Sequence, residues 1–277
     1  MKLCRYGDVG QEVFGLIDAA GNVRDLSGFG PVDISPQTLS KLRALDTSSL
    51  PVVSGSPRLG VPLSGVSKFI GIGLNYSDHA AEAGLSIPSE PIIFMKAISC
   101  LGGPNDDILQ PRRSTKLDWE VELGVVIGTK AQDVSIENAL SYVAGYVVVN
   151  DVSERAFQMQ SSQWDKGKGC DTFGPVGPWL VTTDEVSDPQ TLGLWLDVNG
   201  QRKQTGNTSK MIFDVKTIVS YVSQFMTLMP GDIIATGTPP GVGMGHKPEP
   251  VYLKPGDVVT LGIDGLGQQH QRVVALS

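Results

Sequence analysis

The clearest periodicity in the chain lies between Asp118 and Asp151. DWEVELGVVIG alternates, so Glu120 and Glu122 fall on one face of a strand, while Val121, Leu123, Val125 and Ile127 fall on the other. A second apolar run, AGYVVVND, closes on Asp151, and Ser135 to Ser141 is predicted to be a helical crossover between the two runs. VSKFIGIGL and EPIIFMK read as strands upstream. TLGLWLDVNGQRKQTG reads as a strand with a hairpin signal at Asn199-Gly200. MIFDVKTIVSYVSQFMTL is the strongest helix, with an apolar stripe of Ile218, Val222, Phe225 and Met226. Pro230-Gly231-Asp232 before IIATG and Pro255-Gly256-Asp257 before VVTLG each read as a turn feeding a strand, as in a barrel or roll.

Residues 1–65 read as a small module of their own. KLCRYG and EVFGLID alternate as strands, and Asp18 to Asn22 forms a turn into VRDL. Ser35 is an N-cap with Pro36 at the first helical position, and Leu39, Leu42 and Leu45 share a face. A stretch rich in Pro, Ser and Gly then leads to residues 66–277, which carry all the recognisable chemistry.

Composition narrows the classes. A chain of 277 residues, 40% hydrophobic and 18% charged, can build a sizeable core. With 22 basic against 29 acidic residues the net charge is −7, which argues against a nucleic-acid or anionic-membrane partner. Gly 33 and Pro 18 point to many turns and a β-rich α+β fold. Cys4, Cys100 and Cys170 are widely spaced, without a disulfide or zinc pattern, and MKLCRYGDVG lacks the apolar segment of a secretory signal. Both features point to a cytoplasmic protein, and no apolar run is long enough to span a membrane.

Two carboxylates on one strand face repel each other, and burial strengthens the repulsion, so something positive should lie between them. If Asp151 converges on Glu120 and Glu122, a hard divalent cation, Mg²⁺ or Mn²⁺, suits the oxygen set. His79 and Glu82 are three apart, on one face of the short helix expected for NYSDHAAEAG with Ser77 or Asp78 near its cap. Glu82 can orient His79 so that its other ring nitrogen accepts a proton. Ser153 is a plausible N-cap for SERAFQMQ, where Arg155 and Gln158 share a face, and Lys166 and Lys168 lie in a glycine-punctuated loop. ATGTPPGVGMG can bring backbone amides and Thr236 or Thr238 near a ligand, though a plain turn accounts for it equally well. Gly71-x-Gly73 lacks the third glycine of a dinucleotide motif, with Tyr76 in its place. A Gly-x-Ser-x-Gly elbow and HExxH are absent, which disfavours serine hydrolases and zincins. Lys96, Arg112 and Arg113 stay unassigned.

Taken together and in order, NYSDHAAE, EPIIFMK, DWEVELGVVIG, NDVSERAFQ, KGKGCDTFGPVGPW, GNTSKMIF and GDIIATGTPPGVG resemble the fumarylacetoacetate hydrolase family, from about residue 66 to the end. The resemblance implies a mixed β-roll core behind the small N-terminal module, a homodimer, and an Mg²⁺ or Mn²⁺ site. Position by position, it implies that Glu120, Glu122 and Asp151 bind the metal. It makes His79 and Glu82 the water-activating pair on a lid segment, and Lys168 a lysine that polarises substrate. Arg155, Gln158 and Thr238 become contacts to a small anionic 2-oxo acid. Cys170 departs from the motif, where an aromatic residue is common and where it could reshape the pocket beside Lys168; Lys210 stands in place of an acid. The implied activity is hydrolysis of a C–C bond in a 2,4-diketo acid of acylpyruvate type, giving pyruvate and a carboxylic acid. The loop before Glu120 is closest to the bacterial branch acting on 2,4-diketo-3-deoxy sugar acids. Isomerases of hydroxyhepta-dienedioate type and oxaloacetate decarboxylases share the family, and a non-catalytic metal-binding protein is the alternative outside it.

Overall fold

The computed structural model describes residues 1–276. Three strands open the chain, β1 (Lys2–Tyr6), β2 (Val13–Ile17) and β3 (Val23–Asp25), followed by helix α1 (Pro36–Arg43). Next come β4 (Phe69–Gly73), α2 (Ser77–Ala83), β5 (Ile92–Lys96), and the short β6 (Leu101–Gly102), β7 (Ile108–Gln110) and β8 (Leu117–Asp118). The central pair is β9 (Val121–Ile127) and β10 (Val143–Asn150). Then follow β11 (Ser153–Glu154), α3 (Arg155–Gln158), α4 (Asp165–Lys168), β12 (Gly174–Thr182), β13 (Gly193–Val198) and β14 (Gln201–Asn207). The chain ends with α5 (Val215–Phe225), β15 (Ile233–Ala235), β16 (Val258–Ile263) and β17 (Gly267–Ala275).

This is a strand-rich α+β fold. One ten-stranded sheet runs β3-β2-β1-β12-β10-β9-β15-β4-β5, with β6 beside β12; a five-stranded sheet runs β14-β13-β16-β17-β7; and β8 pairs with β11. The N-terminal strands extend the large sheet, because β1 pairs with β12 at Lys2–Val181 and Leu3–Leu180. Leu3 of β1, Leu16 of β2, and Leu39 and Leu42 of α1 join the same hydrophobic cluster as β9 and β10. Every residue of β9 and β10 is buried, so the expected apolar face of β9 is only half of what it hides. Buried amides link the two sheets: Gln204 Oε1 accepts from the Val121 amide at 2.9 Å, and Gln269 Nε2 donates to the Val148 carbonyl at 2.8 Å. These bonds satisfy main-chain groups that the ladder leaves open.

The turn chemistry matches the sequence closely. Ser35 caps α1 by accepting from the Thr38 amide at 3.3 Å. Asn199 and Gly200 take φ of 52° and 74°, as a two-residue hairpin of type I′ requires. Asp232 and Asp257 each close their Pro-Gly-Asp turn by accepting from the amide three residues back, at 2.7 and 2.9 Å.

Four details differ from the sequence expectation. Residues 128–142 hold only one short 3-10 turn, Ala139–Tyr142, because β9 and β10 are antiparallel neighbours and need no crossover. Tyr76, rather than Ser77 or Asp78, is the N-cap of α2, without a side-chain cap bond. Glu154, rather than Ser153, caps α3; its carboxylate reaches the Ala156 amide at 3.0 Å while Ser153 stays in β11 with its hydroxyl on the Asp151 carbonyl. On α5 the buried stripe is Val215, Ile218, Val219 and Val222, whereas Phe225 in the last turn is 62% exposed and stacks edge-on against Tyr221.

Candidate active site

The register of the central pair brings the carboxylates together. Val121 lies opposite Asn150 in the ladder, and the Asp151 amide donates to the Glu120 carbonyl at 2.9 Å, so the chain leaves β10 beside Glu120. Glu120, Glu122 and Asp151 are buried, and each offers an oxygen within 4.8 Å of the others.

Three cations meet this cluster. Lys168, at the end of α4, bridges Glu120 and Asp151 at 2.6 and 2.5 Å. Arg155, opening α3, holds Glu120 at 2.6 Å and Asp118 at 2.8 Å, and donates to Gln158 Oε1 at 3.0 Å. Lys96, at the end of β5, pairs with Asp151 at 2.6 Å, and both side chains are fully buried. Asp118, Glu120, Glu122 and Asp151 therefore face three cations, which leaves one negative charge in excess. Glu122 is the carboxyl left without a cation: its partner is the Gly237 amide at 2.8 Å, and a proton takes the charge. Burial, and then the charges of Asp151 and Glu120, push the Glu122 carboxyl well above the usual range. Burial also works against ionisation of Glu120, but Lys168 and Arg155 outweigh it and hold that carboxyl at about 2. For Lys168, burial disfavours the charge and Asp151 and Glu120 more than restore it. A set of hard oxygens with one carboxyl neutralised by a proton rather than by a side-chain cation fits a hard divalent cation that would displace that proton.

The second half of the site comes from α2. His79 Nδ1 lies 3.0 Å from Glu82 Oε2. Glu82 in turn accepts from the Gly241 amide at 3.1 Å, so the pair is tied to the loop after β15. Asn75 fixes the start of this segment by donating to the Thr236 carbonyl at 2.7 Å and accepting from the Phe213 amide at 2.9 Å.

Both halves open onto one cavity of about 490 Å³. Its lining includes His79, Glu82, Glu120, Glu122, Arg155, Gln158, Lys168 and Thr238; Asp151 lies behind Lys168. The Gln158 amide NH₂ stays free to donate, since only its oxygen is taken by Arg155. Thr238 is more constrained, because its hydroxyl donates to the Val121 carbonyl at 2.9 Å and accepts from Gln204 at 2.8 Å. Cys170 is outside the lining; it lies two residues beyond Lys168, with its thiol on the Lys166 carbonyl.

Two members of the charged cluster carry no assignment from sequence, Lys96 and Asp118. Asp118 continues the period of two through Glu120 and Glu122, and that was its available signal. It takes Arg155 on one side and the Gly243 and Met244 amides, at 2.6 and 3.0 Å, on the other. Lys96 had no such signal, because its partner lies 55 residues away.

Comparison with known proteins identifies the family. The family model for the fumarylacetoacetate (FAA) hydrolase C-terminal region matches residues 68–274. A Burkholderia cenocepacia protein, named no further than as a hydrolase, is 61% identical over 277 residues, with 98% of each chain covered. The solved structure of 2-hydroxyhepta-2,4-diene-1,7-dioate isomerase from Mycobacterium marinum is 35% identical with a TM-score of 0.77, covering 99% of this chain and 98% of its own. Maleylpyruvate hydrolase from Sphingobium sp. SYK-6, solved with manganese(II) and pyruvate, is 29% identical with a TM-score of 0.83 and full coverage of both chains. With three quarters of its length inside the family match and full-length likeness beyond it, the chain belongs to the fumarylacetoacetate hydrolase family.

Proposed function

We propose that the protein is an Mg²⁺- or Mn²⁺-dependent hydrolase of acylpyruvate-type 2,4-diketo acids, giving pyruvate and a carboxylic acid. The observation that carries this reading is that the His79–Glu82 pair and the three-carboxylate cluster, through Glu120 and Glu122, open onto the same cavity. Glu120, Glu122 and Asp151 would hold the ion, which when bound supplies Lewis acidity and positive charge for an anionic 2-oxo acid. The manganese and pyruvate of the Sphingobium hydrolase support the same assignment.

The chain's own residues do the rest. Arg155 and the Gln158 amide bind the substrate carboxylate, with the Thr238 backbone beside them. His79, held by Glu82, takes a proton from water, and the resulting hydroxide adds to the carbonyl two carbons from the keto carbon. The C3–C4 bond breaks, the acyl carbon leaves as a carboxylic acid, and the pyruvate enolate is stabilised by the Lys168 ammonium until it is protonated at C3. The family resemblance also leads us to expect a homodimer, which light scattering on the purified protein measures directly.

An isomerase is the second reading, favoured by the Mycobacterium marinum neighbour. The test incubates the protein and Mg²⁺ or Mn²⁺ with acetylpyruvate, with oxaloacetate and with a hydroxyhepta-dienedioate, and follows pyruvate, CO₂ and double-bond migration. Pyruvate and acetate from acetylpyruvate are expected. His79→Ala should lower that rate by at least about 10²-fold while metal binding persists. Cleavage at near-parental rate in His79→Ala would remove His79 as the base. Double-bond migration or CO₂ release without acetylpyruvate cleavage would replace hydrolysis altogether.

A further inference from the structure

Beyond the reacting groups the cavity is lined almost wholly by apolar side chains. Apart from the reacting groups and Lys247, exposed at the mouth, its lining has no hydroxyl, amide or carboxyl side chain. Ile72, Leu74, Ile92 and Met159 belong to that remaining wall, together with Phe94 and Trp164. The Phe94 ring lies 5.0 Å from Lys168 Nζ, and Trp164 lies 5.3 Å beyond Phe94, tilted at 58°. An aromatic path therefore runs outward from the lysine that faces the breaking bond. Trp164 is also the residue before α4, and its carbonyl accepts from the Lys168 amide at 3.1 Å, so platform and lysine share one rigid turn.

The glycines of β4 make this platform. A Cβ on Gly71 would lie 2.1 Å from Phe94 Cζ, and one on Gly73 would lie 2.6 Å from Trp164 Cζ3. Gly71-x-Gly73 thus serves to let two rings lie on bare backbone. At the mouth, Leu85 and Met159 are 57% and 72% exposed, so the apolar wall runs to the surface.

We propose that this aromatic platform is the acyl-tail subsite and that it selects acylpyruvates with an aryl or comparably flat, apolar tail over polyhydroxylated sugar-acid tails. This assignment rests on the acylpyruvate reading above. A flat apolar tail stacks on Phe94 and Trp164 and displaces water from Ile92 and Met159. A polyol tail would give up its water hydrogen bonds and find no side chain to replace them, the kind of mismatch on which sites discriminate strongly.

The test compares kcat/KM for acetylpyruvate, benzoylpyruvate and a 2,4-diketo-3-deoxy sugar acid of similar length. Benzoylpyruvate should exceed the sugar acid by at least about 10²-fold. Trp164→Leu, and separately Gly73→Ala, which pushes a methyl under the ring, should each lower the benzoylpyruvate-to-acetylpyruvate ratio by about tenfold. Calorimetry of benzoylpyruvate and acetylpyruvate binding to the metal-loaded His79→Ala protein reads the same preference without bond cleavage. If nothing is hydrolysed but the phenyl preference is present and weakened by Trp164→Leu, the hydrolase reading fails and the subsite stands. Equal binding of the two tails, faster turnover of the sugar acid, or a ratio unmoved by both variants overturns the subsite.

Discussion

Replacing Lys96 by methionine tests whether the carboxylate cluster is held by charge. Lys96 and Asp151 meet at 2.6 Å, with both side chains fully buried. The same ammonium donates to the Lys168 carbonyl and, at 3.4 Å, to that of Val152, so it is held between Asp151 and two main-chain oxygens. Methionine keeps the apolar stem and removes the charge. Removing one partner of a buried pair costs about 3–5 kcal/mol. Asp151 keeps Lys168 on its other oxygen at 2.5 Å, which places the loss near the lower bound. At about 2–4 °C per kcal/mol for a chain approaching this size, the metal-free melting temperature should fall by roughly 6–12 °C. A divalent cation on Asp151 restores positive charge, so saturating Mg²⁺ or Mn²⁺ should recover much of the deficit. The control is Arg43→Ala, which removes an ion pair with Asp184 whose side chains are 37% and 46% exposed; screening limits that pair to about 1 kcal/mol. Calorimetric melts in EDTA and in excess metal give all the numbers. A Lys96→Met protein melting within about 2 °C of the parent in EDTA would refute the reasoning, since even a halved buried pair should exceed that.

Three further outcomes follow from the same geometry. Without metal the Glu122 carboxyl sits well above its ordinary value, so it is protonated from below that value up to the raised one; its contribution to stability is present at low pH and lost as pH rises through the folded-state value. Metal uptake needs the carboxylate, so titration in that window should release protons, seen as a dependence of the observed binding heat on buffer ionisation enthalpy; Glu122→Gln should abolish the release. Gly241→Ala adds a methyl 1.9 Å from the Lys203 carbonyl oxygen at a φ of +101°. The loop must shift, and with it the Gly241 amide that holds Glu82, so kcat should drop by about tenfold or more as His79 loses its orientation; an unchanged kcat would detach Glu82 from the loop. Asp118→Asn removes the charge opposite Arg155 Nε, so KM for an anionic substrate should change more than the melting temperature does, as steady-state kinetics and a melt on the same sample would show.

Local rules carried much of this structure and long-range pairing carried the rest. The period of two placed Glu120 and Glu122, and the Pro-Gly-Asp turns, the Ser35 cap and the Asn199-Gly200 hairpin depend on residues within a few positions of one another. The family motifs supplied the set of candidate residues, eight of which line the cavity. Lys96 was invisible because a lysine ending a strand is usually solvated, and only the curl of the sheet carries it to Asp151, with β4 and β15 between β5 and β9. The caps of α2 and α3 shifted by one or two residues because neighbouring backbone groups claimed Ser153 and Asp78. Gly71-x-Gly73 carried a real signal, close approach to a backbone, whose partners were two rings rather than a phosphate.

The loop after β15 explains how the two halves of the site keep their spacing. Within seven residues its backbone amides reach three acids on different elements: Gly237 donates to Glu122 in β9, Gly241 to Glu82 in α2, and Gly243 to Asp118 in β8. Glu82 holds the histidine and Asp118 holds Arg155, so the proposed base, the carboxylate cluster and the proposed anion contact are all indexed to one stretch of main chain. Main-chain donors are well suited to this task, because their positions are set by the covalent geometry of the loop rather than by rotamers. The Glu82 bond is also the most solvent-accessible of the three; its side chain is 26% exposed, whereas Glu122 and Asp118 are buried. Water competes best at that bond, so any opening of α2 should begin with the release of Glu82 from Gly241, leaving the carboxylate cluster intact while the water-activating pair swings free.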